Sequence, residues 1–257
     1  MTVWVDAFLD VPPASASALR TFWSSVTGWP PSGPRGDHGQ FRSLLPEPPG
    51  SRAYLRVQEL AAPARVHLDL VTTPSTAPAM AAEAARLAGL GAARLVSSRD
   101  DVEILASPAG QVFCLVRDDE PRPAVDPGRR ARTWPGGHRS RVTHVCLDVP
   151  PAAYDAEVAF WVAATGWVRE PTQYAEFEWV TPPPERAADV PLRLLVQRLS
   201  RPDDVVGAHL DLGTTDVPAE VDRLLAIGAV DRGAAGNWHV LADPVVGRPF
   251  CVTTSAP

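Results

Sequence analysis

No stretch of this chain approaches the roughly 20 apolar residues needed to cross a bilayer. Its opening, Met1-Thr2-Val3-Trp4-Val5-Asp6, has neither a basic start nor an apolar segment of signal-peptide length. These absences lead to the expectation of a soluble, cytoplasmic protein with no membrane partner. Cysteine is scarce: Cys114, Cys146 and Cys251 are the only three in 257 residues, an odd number that does not form a disulfide framework. Basic patches are missing as well. The net charge is −6, and the few arginine clusters are short and lie beside Pro and Gly, so no nucleic-acid partner is expected. There is no glycine-rich phosphate loop, nucleophile elbow, Cys-x-x-Cys pair or His-Glu-x-x-His helix. This argues against nucleotide-dependent enzymes, serine hydrolases and zinc proteases. It leaves isomerase, lyase and oxygenase chemistry open.

What the chain does contain is a duplication. Leu9-Asp10-Val11-Pro12-Pro13-Ala14 recurs as Leu147-Asp148-Val149-Pro150-Pro151-Ala152. Phe22-Trp23 matches Phe160-Trp161, and Thr27-Gly28-Trp29 matches Thr165-Gly166-Trp167. His67-Leu68-Asp69-Leu70 matches His209-Leu210-Asp211-Leu212, and the segment from Gly110 to Val116 matches that from Gly247 to Thr253. The blocks keep their order, so the two halves are homologous units. They span residues 1–117 and 141–257. Residues 118–140 are rich in Pro, Gly and Arg and show no apolar period, as expected of a linker. A composition that is 45% hydrophobic suits ordinary globular cores, and the length suits two domains.

Within the second unit, Arg141 to Val149 alternates as a strand. Pro150-Pro151 ends it and opens a helix carrying Tyr154, Val158, Trp161, Val162 and Thr165, which Gly166 stops. One or two strands follow between Trp167 and Val180, then a strand from Leu192 to Leu199 and another from Ala208 to Gly213. A second helix opens at Pro218, carries Val221, Leu224 and Leu225, and ends at Gly228. Strands over Trp238–Ala242 and Arg248–Thr253 close the unit around an Asp243-Pro244 turn, whose counterpart is Ser107-Pro108. The first unit follows the same order, its helices holding Leu19, Phe22, Trp23 and Val26, then Ala84, Leu87 and Leu90. The fold class is therefore α+β, with four βαβββ modules in two tandem units.

Paired βαβββ modules with His209-Leu-Asp-Leu, a helix ending in Ile227-Gly228-Ala229, and Trp238 through Asp243-Pro244 to Phe250-Cys251-Val252 resemble the vicinal-oxygen-chelate superfamily, and its glyoxalase-like subgroup in particular. That superfamily includes glyoxalase I, extradiol dioxygenases, fosfomycin-resistance proteins and bleomycin-binding proteins. The resemblance covers both units and is specific for the fold rather than the reaction. It implies two tandem glyoxalase-like domains, each with a concave sheet face on which a metal can sit. Carried over position by position, the metal ligands are His144, Gln197, His209 and Cys251 in the second domain. In the first, the same positions hold Asp6, Gln58, His67 and Cys114. If the leucines and valines of each strand pack on the helices, these eight side chains face the other way. Metal-dependent relatives carry a carboxylate at the fourth position, where both domains here have Cys. The resemblance thus leaves open a divalent metal (Zn, Fe, Mn or Ni) and a metal-free cavity alike.

Each singled-out residue has two readings. His67 and His209 can be ligands, general bases or satisfied strand histidines. Asp69 and Asp211 share their face and can orient them, line the cavity or bond across the sheet. The cysteines can be reactive thiols or small core residues. Trp23 and Trp161 fall on helical stripes and belong to the core, whereas Trp4, Trp179 and Trp238 can border a cavity. The ligand-binding set is Trp4, Asp6, Gln58, His67, Cys114, Asp211, Trp179 and Trp238. Two functions are compatible with these residues. One is a glyoxalase-like protein that binds a small organic molecule in a concave sheet cavity. The alternative is a divalent-metal-dependent lyase, isomerase or dioxygenase. The chain is expected as a monomer, a pseudo-dimer within itself, or as a homodimer.

Overall fold

A computed structural model describes residues 2–47, 51–74, 76–99, 102–118, 130–187 and 189–257. The first repeat runs β1 (Thr2–Val11), α1 (Pro13–Thr27), β2 (Phe41–Leu44), β3 (Leu55–Glu59), β4 (Arg65–Thr72), α2 (Ala77–Gly89), β5 (Ala93–Arg99), β6 (Val102–Ala106) and β7 (Val112–Arg117). A short strand, β8 (Arg132–Thr133), precedes the second repeat: β9 (Arg139–Val149), α3 (Tyr154–Thr165), β10 (Val168–Pro171), β11 (Phe177–Thr181), β12 (Arg193–Arg198), β13 (Gly207–Thr214), α4 (Val217–Ala226), β14 (Val230–Ala235), β15 (Trp238–Ala242) and β16 (Pro249–Thr253). The first sheet has the strand order β2-β3-β1-β4-β7-β6-β5, and the second has β10-β11-β12-β9-β13-β16-β15-β14, with β8 pairing β9. The second sheet holds two βαβββ modules; in the first, α1 is followed by two strands rather than three before β4, and the segment ahead of β2 makes only isolated bridges to it, Pro31 with Leu44 and Arg35 with Phe41, so that module is βαββ. Among the described residues no helix is long and apolar enough to cross a membrane.

Of the stretch expected to be a linker, residues 119–129 lie outside the described residues. The remainder is partly ordered into strand: Arg132 and Thr133 pair with Ser140 and Arg139, so the second repeat's first strand starts two residues early. Residues 230–235 form a strand that the sequence reading did not assign. Leu90, expected on the α2 stripe, sits just past the end of that helix and is 39% exposed.

The repeated motifs now have local reasons. Thr27 Oγ1 donates to Trp23 O (2.8 Å) and accepts from Trp29 N (3.2 Å). Thr165 does the same with Trp161 O (2.6 Å) and Trp167 N (3.1 Å). Between them Gly28 and Gly166 take the left-handed conformation at φ 71°, which closes each helix and turns the next Trp into the core. Thr-Gly-Trp is thus a helix stop that also buries an indole.

The contacts divide the chain into two compact units that do not follow the repeat. One comprises Met1–Ala7, His67–Pro121 and Val145–Ala208; the other comprises Phe8–Val66, Arg122–His144 and His209–Pro257. The repeated aromatics give the reason. In the first unit, Phe113 of β7 packs against Phe160 and Trp161 of α3, with ring centroids 5.7 and 5.3 Å apart. In the second, Phe250 of β16 packs against Phe22 and Trp23 of α1 at 6.0 and 5.4 Å. Each repeated Phe-Trp pair therefore meets the repeated Phe of the other sequence half. Truncating one such ring to Ala costs roughly 3–5 kcal/mol. An arginine joins each contact. Arg86 of α2 donates to the last-turn carbonyls of α3, Ala163 O (3.0 Å) and Ala164 O (3.2 Å). Arg223 of α4 donates to those of α1, Ser25 O (3.1 Å) and Val26 O (3.0 Å). Cations at these helix ends satisfy carbonyls left without intrahelical partners.

Candidate functional site

The second His-x-Asp sits on β13. The strand's period of two sends Leu210 and Leu212, each 1% exposed, to one face and His209 and Asp211 to the other. β16 runs parallel to β13 and sets Cys251 opposite Asp211. β9, the neighbour on the other side, supplies His144. The result is a buried array in which His144 Nε2 lies 2.7 Å from Asp211 Oδ2 and His209 Nε2 lies 3.3 Å from Asp211 Oδ1. Cys251 Sγ is 3.6 Å from His209 Nε2. The 3.3 Å contact is close enough for an ion pair but is not aligned as a hydrogen bond, and Asp211 Oδ1 has no hydrogen-bond partner. What exposure the array keeps lies at His209 and Cys251, 7% each, against 1% at His144 and 3% at Asp211.

Burial alone would raise the Asp211 carboxyl, but the adjacent His144 and His209 imidazoles hold it well below the usual carboxylate range. Burial pushes the Cys251 thiol up to about 11, with the Asp211 charge acting in the same direction. Asp211 is therefore a carboxylate and Cys251 a thiol at neutral pH. The Thr143 hydroxyl, with one proton, reaches two groups: His144 Nδ1 at 2.8 Å and Asp211 O at 3.4 Å. Turned to Nδ1 it donates to a neutral imidazole; turned to Asp211 O it can accept from a protonated one.

The first repeat builds a related but different cluster. His67 and Asp69 share a face of β4, and parallel β7 sets Cys114 opposite Asp69. His67 Nε2 is 3.4 Å from Asp69 Oδ1. Burial pushes the Cys114 thiol up to about 11, helped by the Asp69 charge and opposed by a hydrogen bond with His67. Asp6 occupies the place of His144, and it accepts a 2.7 Å hydrogen bond from Trp4 Nε1. Trp4 is only 2% exposed.

The remaining sequence candidates are spread more widely. Gln58 is half-buried on β3 opposite Phe41. Gln197 is half-buried on β12, where its amide oxygen meets Cys146 Sγ at 3.9 Å. Trp179 is half-buried under the Arg193 guanidinium at 4.3 Å, and Trp238 is half-buried against the turn at Gly236. Asp69 and Thr143 were not among the sequence-assigned site residues. Asp69 carried a signal, its position two residues after a strand histidine. Thr143 carried none, because its backbone neighbour rather than its own face puts it in contact with His144.

The model of the glyoxalase-like domain matches residues 6–116 and 144–253. The chain belongs to the glyoxalase-like domain family. Comparison with the curated proteins returns no match. Among solved structures, the glyoxalase-like chain is similar to a mutant 4-hydroxymandelate synthase from Streptomyces coelicolor, with TM-score 0.60, 15% identity, and coverage of 98% of this chain and 92% of that one. It is also similar to a trihydroxybiphenyl dioxygenase from Sphingomonas wittichii, with TM-score 0.59, 12% identity and coverage of 98% and 90%. A 2,3-dioxygenase from a Pseudomonas species gives TM-score 0.58, 12% identity and coverage of 96% and 90%. At these identities the likeness shows a shared fold and nothing of the reaction.

The residues of the second repeat can be tested against the metal that this fold implies. The fourth position holds a thiol instead of a carboxylate, but Asp211 brings a carboxylate to the same cluster from a different position. Two imidazoles and one carboxylate are a donor set that suits divalent first-row metals. The buried Asp211 Oδ1 without a hydrogen bond is a donor atom available to such an ion. The donor set fits.

Proposed function

We propose that this glyoxalase-like protein binds a small organic molecule at the His144–Asp211–His209 array of the second repeat. The observation that carries the reading is one buried carboxylate held between two histidines, 2.7 Å from one and 3.3 Å from the other. An ionised group is kept inside a protein only where partners compensate its desolvation. Here the partners are side chains able to donate to, or accept from, an oxygen of a bound molecule. The leucine face of β13 behind the array is apolar, and the half-buried Trp238 of β15, on the sheet face of Cys251, is suited to contact with an aromatic or other flat apolar body. The ligand expected is thus an oxygen-bearing molecule with an apolar frame. It approaches from the His209 and Cys251 side, where the array keeps its exposure. Cys251, protonated at neutral pH, serves as a wall and a weak donor rather than as a nucleophile.

Thermal denaturation in the presence of an aromatic and natural-product library tests the reading. At least one compound is expected to raise the midpoint in a concentration-dependent way, and the gain is expected to vanish in His209→Ala. A library with no stabilising member removes it.

A second reading is favoured by the donor set itself. His144, His209 and Asp211 would hold a divalent ion, which supplies a Lewis acid for polarising a substrate oxygen in lyase, isomerase or dioxygenase chemistry. In that case Asp211 neutralises the ion, Thr143 orients His144 through Nδ1, and the leucine face of β13 keeps the histidines in register. Metal analysis of protein purified without chelator discriminates the two. A near-stoichiometric ion that is lost in His209→Ala supports the second reading.

A further inference from the structure

Arg132 of β8 lies directly on Gly28, the residue that closes α1. A Cβ at Gly28 would meet Arg132 Cδ, Nε and Cζ at 2.6–2.7 Å, whereas one at its counterpart Gly166 would meet nothing within 4 Å. The difference comes from β8, for which the described residues of the first repeat hold no counterpart. Pairing of Arg132 with Ser140 of β9 holds this segment at the end of α1. There Arg130, Arg132 and Arg141 line one cavity of about 250 Å³, its open mouth included. The first repeat has Val3 at the place of Arg141. The buried Val26, Trp29 and Leu212 line the same cavity. Leu212 points to the face of β13 opposite His209 and Asp211, so the cavity is on the other side of the sheet from the array.

Three guanidiniums around one small space repel one another unless an anion joins them. Their recorded acceptors in the backbone are neutral: Gly28 O takes Arg132 Nη1 at 3.0 Å, and Val142 O takes Arg141 Nη1 at 3.1 Å. The other carbonyls at the end of α1, Ser25 O and Val26 O, are taken by Arg223, so the negative pole of that helix does not face the cavity unopposed. Glu47 Oε2 stands 3.7 Å from Arg132 Nη1, but the glutamate is 67% exposed, and such a pair is screened by solvent and worth little. Trp134 covers the face of Arg132, with Cζ 5.1 Å from the ring centroid. The five N–H donors of a guanidinium lie on its edge, so stacking fixes the plane of Arg132 without using them.

We propose that this cavity binds the carboxylate of a small apolar acid, its oxygens on the arginines and its apolar body against Val26, Trp29 and Leu212. The planar fork of arginine matches a carboxylate through two parallel hydrogen bonds. A free phosphate would set charge against the apolar wall as well, at a desolvation cost that a carboxylate with an apolar body avoids. The volume is below the roughly 300–1,000 Å³ of pockets for drug-sized molecules, which sets a small ligand. The site is separate from the array and does not rest on its function.

Isothermal titration of the full-length protein with benzoate tests the proposal. It is run on wild type and on His209→Ala, which separates this cavity from any benzoate taken by the array, and inorganic phosphate is titrated in parallel. A saturable benzoate isotherm is expected in both proteins, with phosphate weaker or silent. Arg132→Ala and Arg130→Ala are each expected to weaken benzoate about tenfold or more, the loss of a hydrogen bond to a charged group. Arg130 is exposed, so its variant carries the test should Arg132→Ala fail to fold. No saturable benzoate binding overturns the proposal. So does an isotherm unchanged in either folded arginine variant, one that disappears in His209→Ala, or phosphate binding more tightly than benzoate.

Discussion

Asp211 Oδ2 stands 2.7 Å from His144 Nε2, between two strands whose other faces are packed with leucine and valine. Neither partner can turn to solvent if the other is removed, so the pair is coupled to stability as well as to any ligand. Asp211→Asn keeps the shape and removes the charge. It is expected to cost about 3–5 kcal/mol, the usual penalty for breaking a buried pair by one partner. The pH dependence has a definite sign. The folded-state pKa of Asp211 is lowered, so its contribution is fully present above the unfolded carboxylate value of about 3.9 and is lost as pH falls below it. Denaturant unfolding across pH 3 to 7, pH values at roughly and above that carboxylate range, should show a steeper acid-side loss in the wild type than in Asp211→Asn. Parallel curves contradict the assignment of an ionised Asp211.

Cys114 and Cys251 should be unreactive. With both thiols pushed up to about 11, roughly one molecule in a thousand carries the thiolate near pH 8. Burial lowers the rate of attack further. Iodoacetamide is expected to modify both residues at least about a hundredfold more slowly in the native protein than in urea. Mass spectrometry of digests reads the two sites separately. Fast native labelling of either would mean an activated thiolate and a different electrostatic environment.

The alternation in His-Leu-Asp-Leu was enough to place histidine and aspartate on one face of a strand and the leucines on the other, and both repeats obey it. Register was not accessible in the same way. Asp211 lies opposite Cys251 because β13 and β16 are parallel neighbours, a pairing that skips the β14–β15 hairpin and that no local pattern encodes. The strand over residues 230–235 escaped for a related reason. It is short and mostly exposed, and a register shift between Asp231 and Gly233 interrupts its ladder with β15. The tryptophans of the repeated Phe-Trp pairs were legible as core residues. Their partners, Phe113 and Phe250, were not, because each lies in the other half of the sequence and periodicity carries no information on long-range pairing.

Arg223 and Arg86 occupy equivalent positions but unequal surroundings. Arg223 is 14% exposed and stacks on Trp134 at 3.5 Å. It pairs with Glu220, which is fully buried and also meets His138 Nε2 and Ser140 Oγ, both at 2.8 Å. Arg86 is 42% exposed and pairs with Glu83 at 2.6 Å. Arg223→Ala is therefore expected to cost about 3–5 kcal/mol, since it leaves the buried Glu220 charge under-compensated. Arg86→Ala is expected to cost about 1 kcal/mol or less from its exposed pair, plus its two helix-end hydrogen bonds. Urea midpoints of the two variants, compared in one buffer, check the order. Equal effects would mean that the helix-end contacts, common to both, dominate.

Glu157 provides the most direct test of how the two repeats diverged. In the second repeat the turn before β16 is closed by its own carboxylate: Asp243 accepts from Val245 N (2.9 Å), Val246 N (2.7 Å) and Arg248 N (2.9 Å). In the first repeat Ser107 stands there, and Ala109 N instead donates to Glu157 Oε2 of α3 at 2.9 Å. Glu157 Oε1 also accepts from Trp161 Nε1 at 2.7 Å. The glutamate is fully buried. Burial raises its carboxyl, and the hydrogen bonds from Ser107, Ala109 and Trp161 only partly oppose the rise. A folded-state pKa raised above the unfolded value gives a contribution that is present below about 4.3 and is lost as pH rises through the folded value. Glu157→Gln removes that titration while keeping one acceptor oxygen for its donors. The stability gap between wild type and Glu157→Gln should therefore be widest near pH 4, at roughly the unfolded carboxylate value, and should narrow as pH rises towards neutrality. Chemical denaturation at several pH values across that window measures it. A gap that widens towards neutral pH would show instead that the ionised carboxylate is what holds the Ser107 turn against α3.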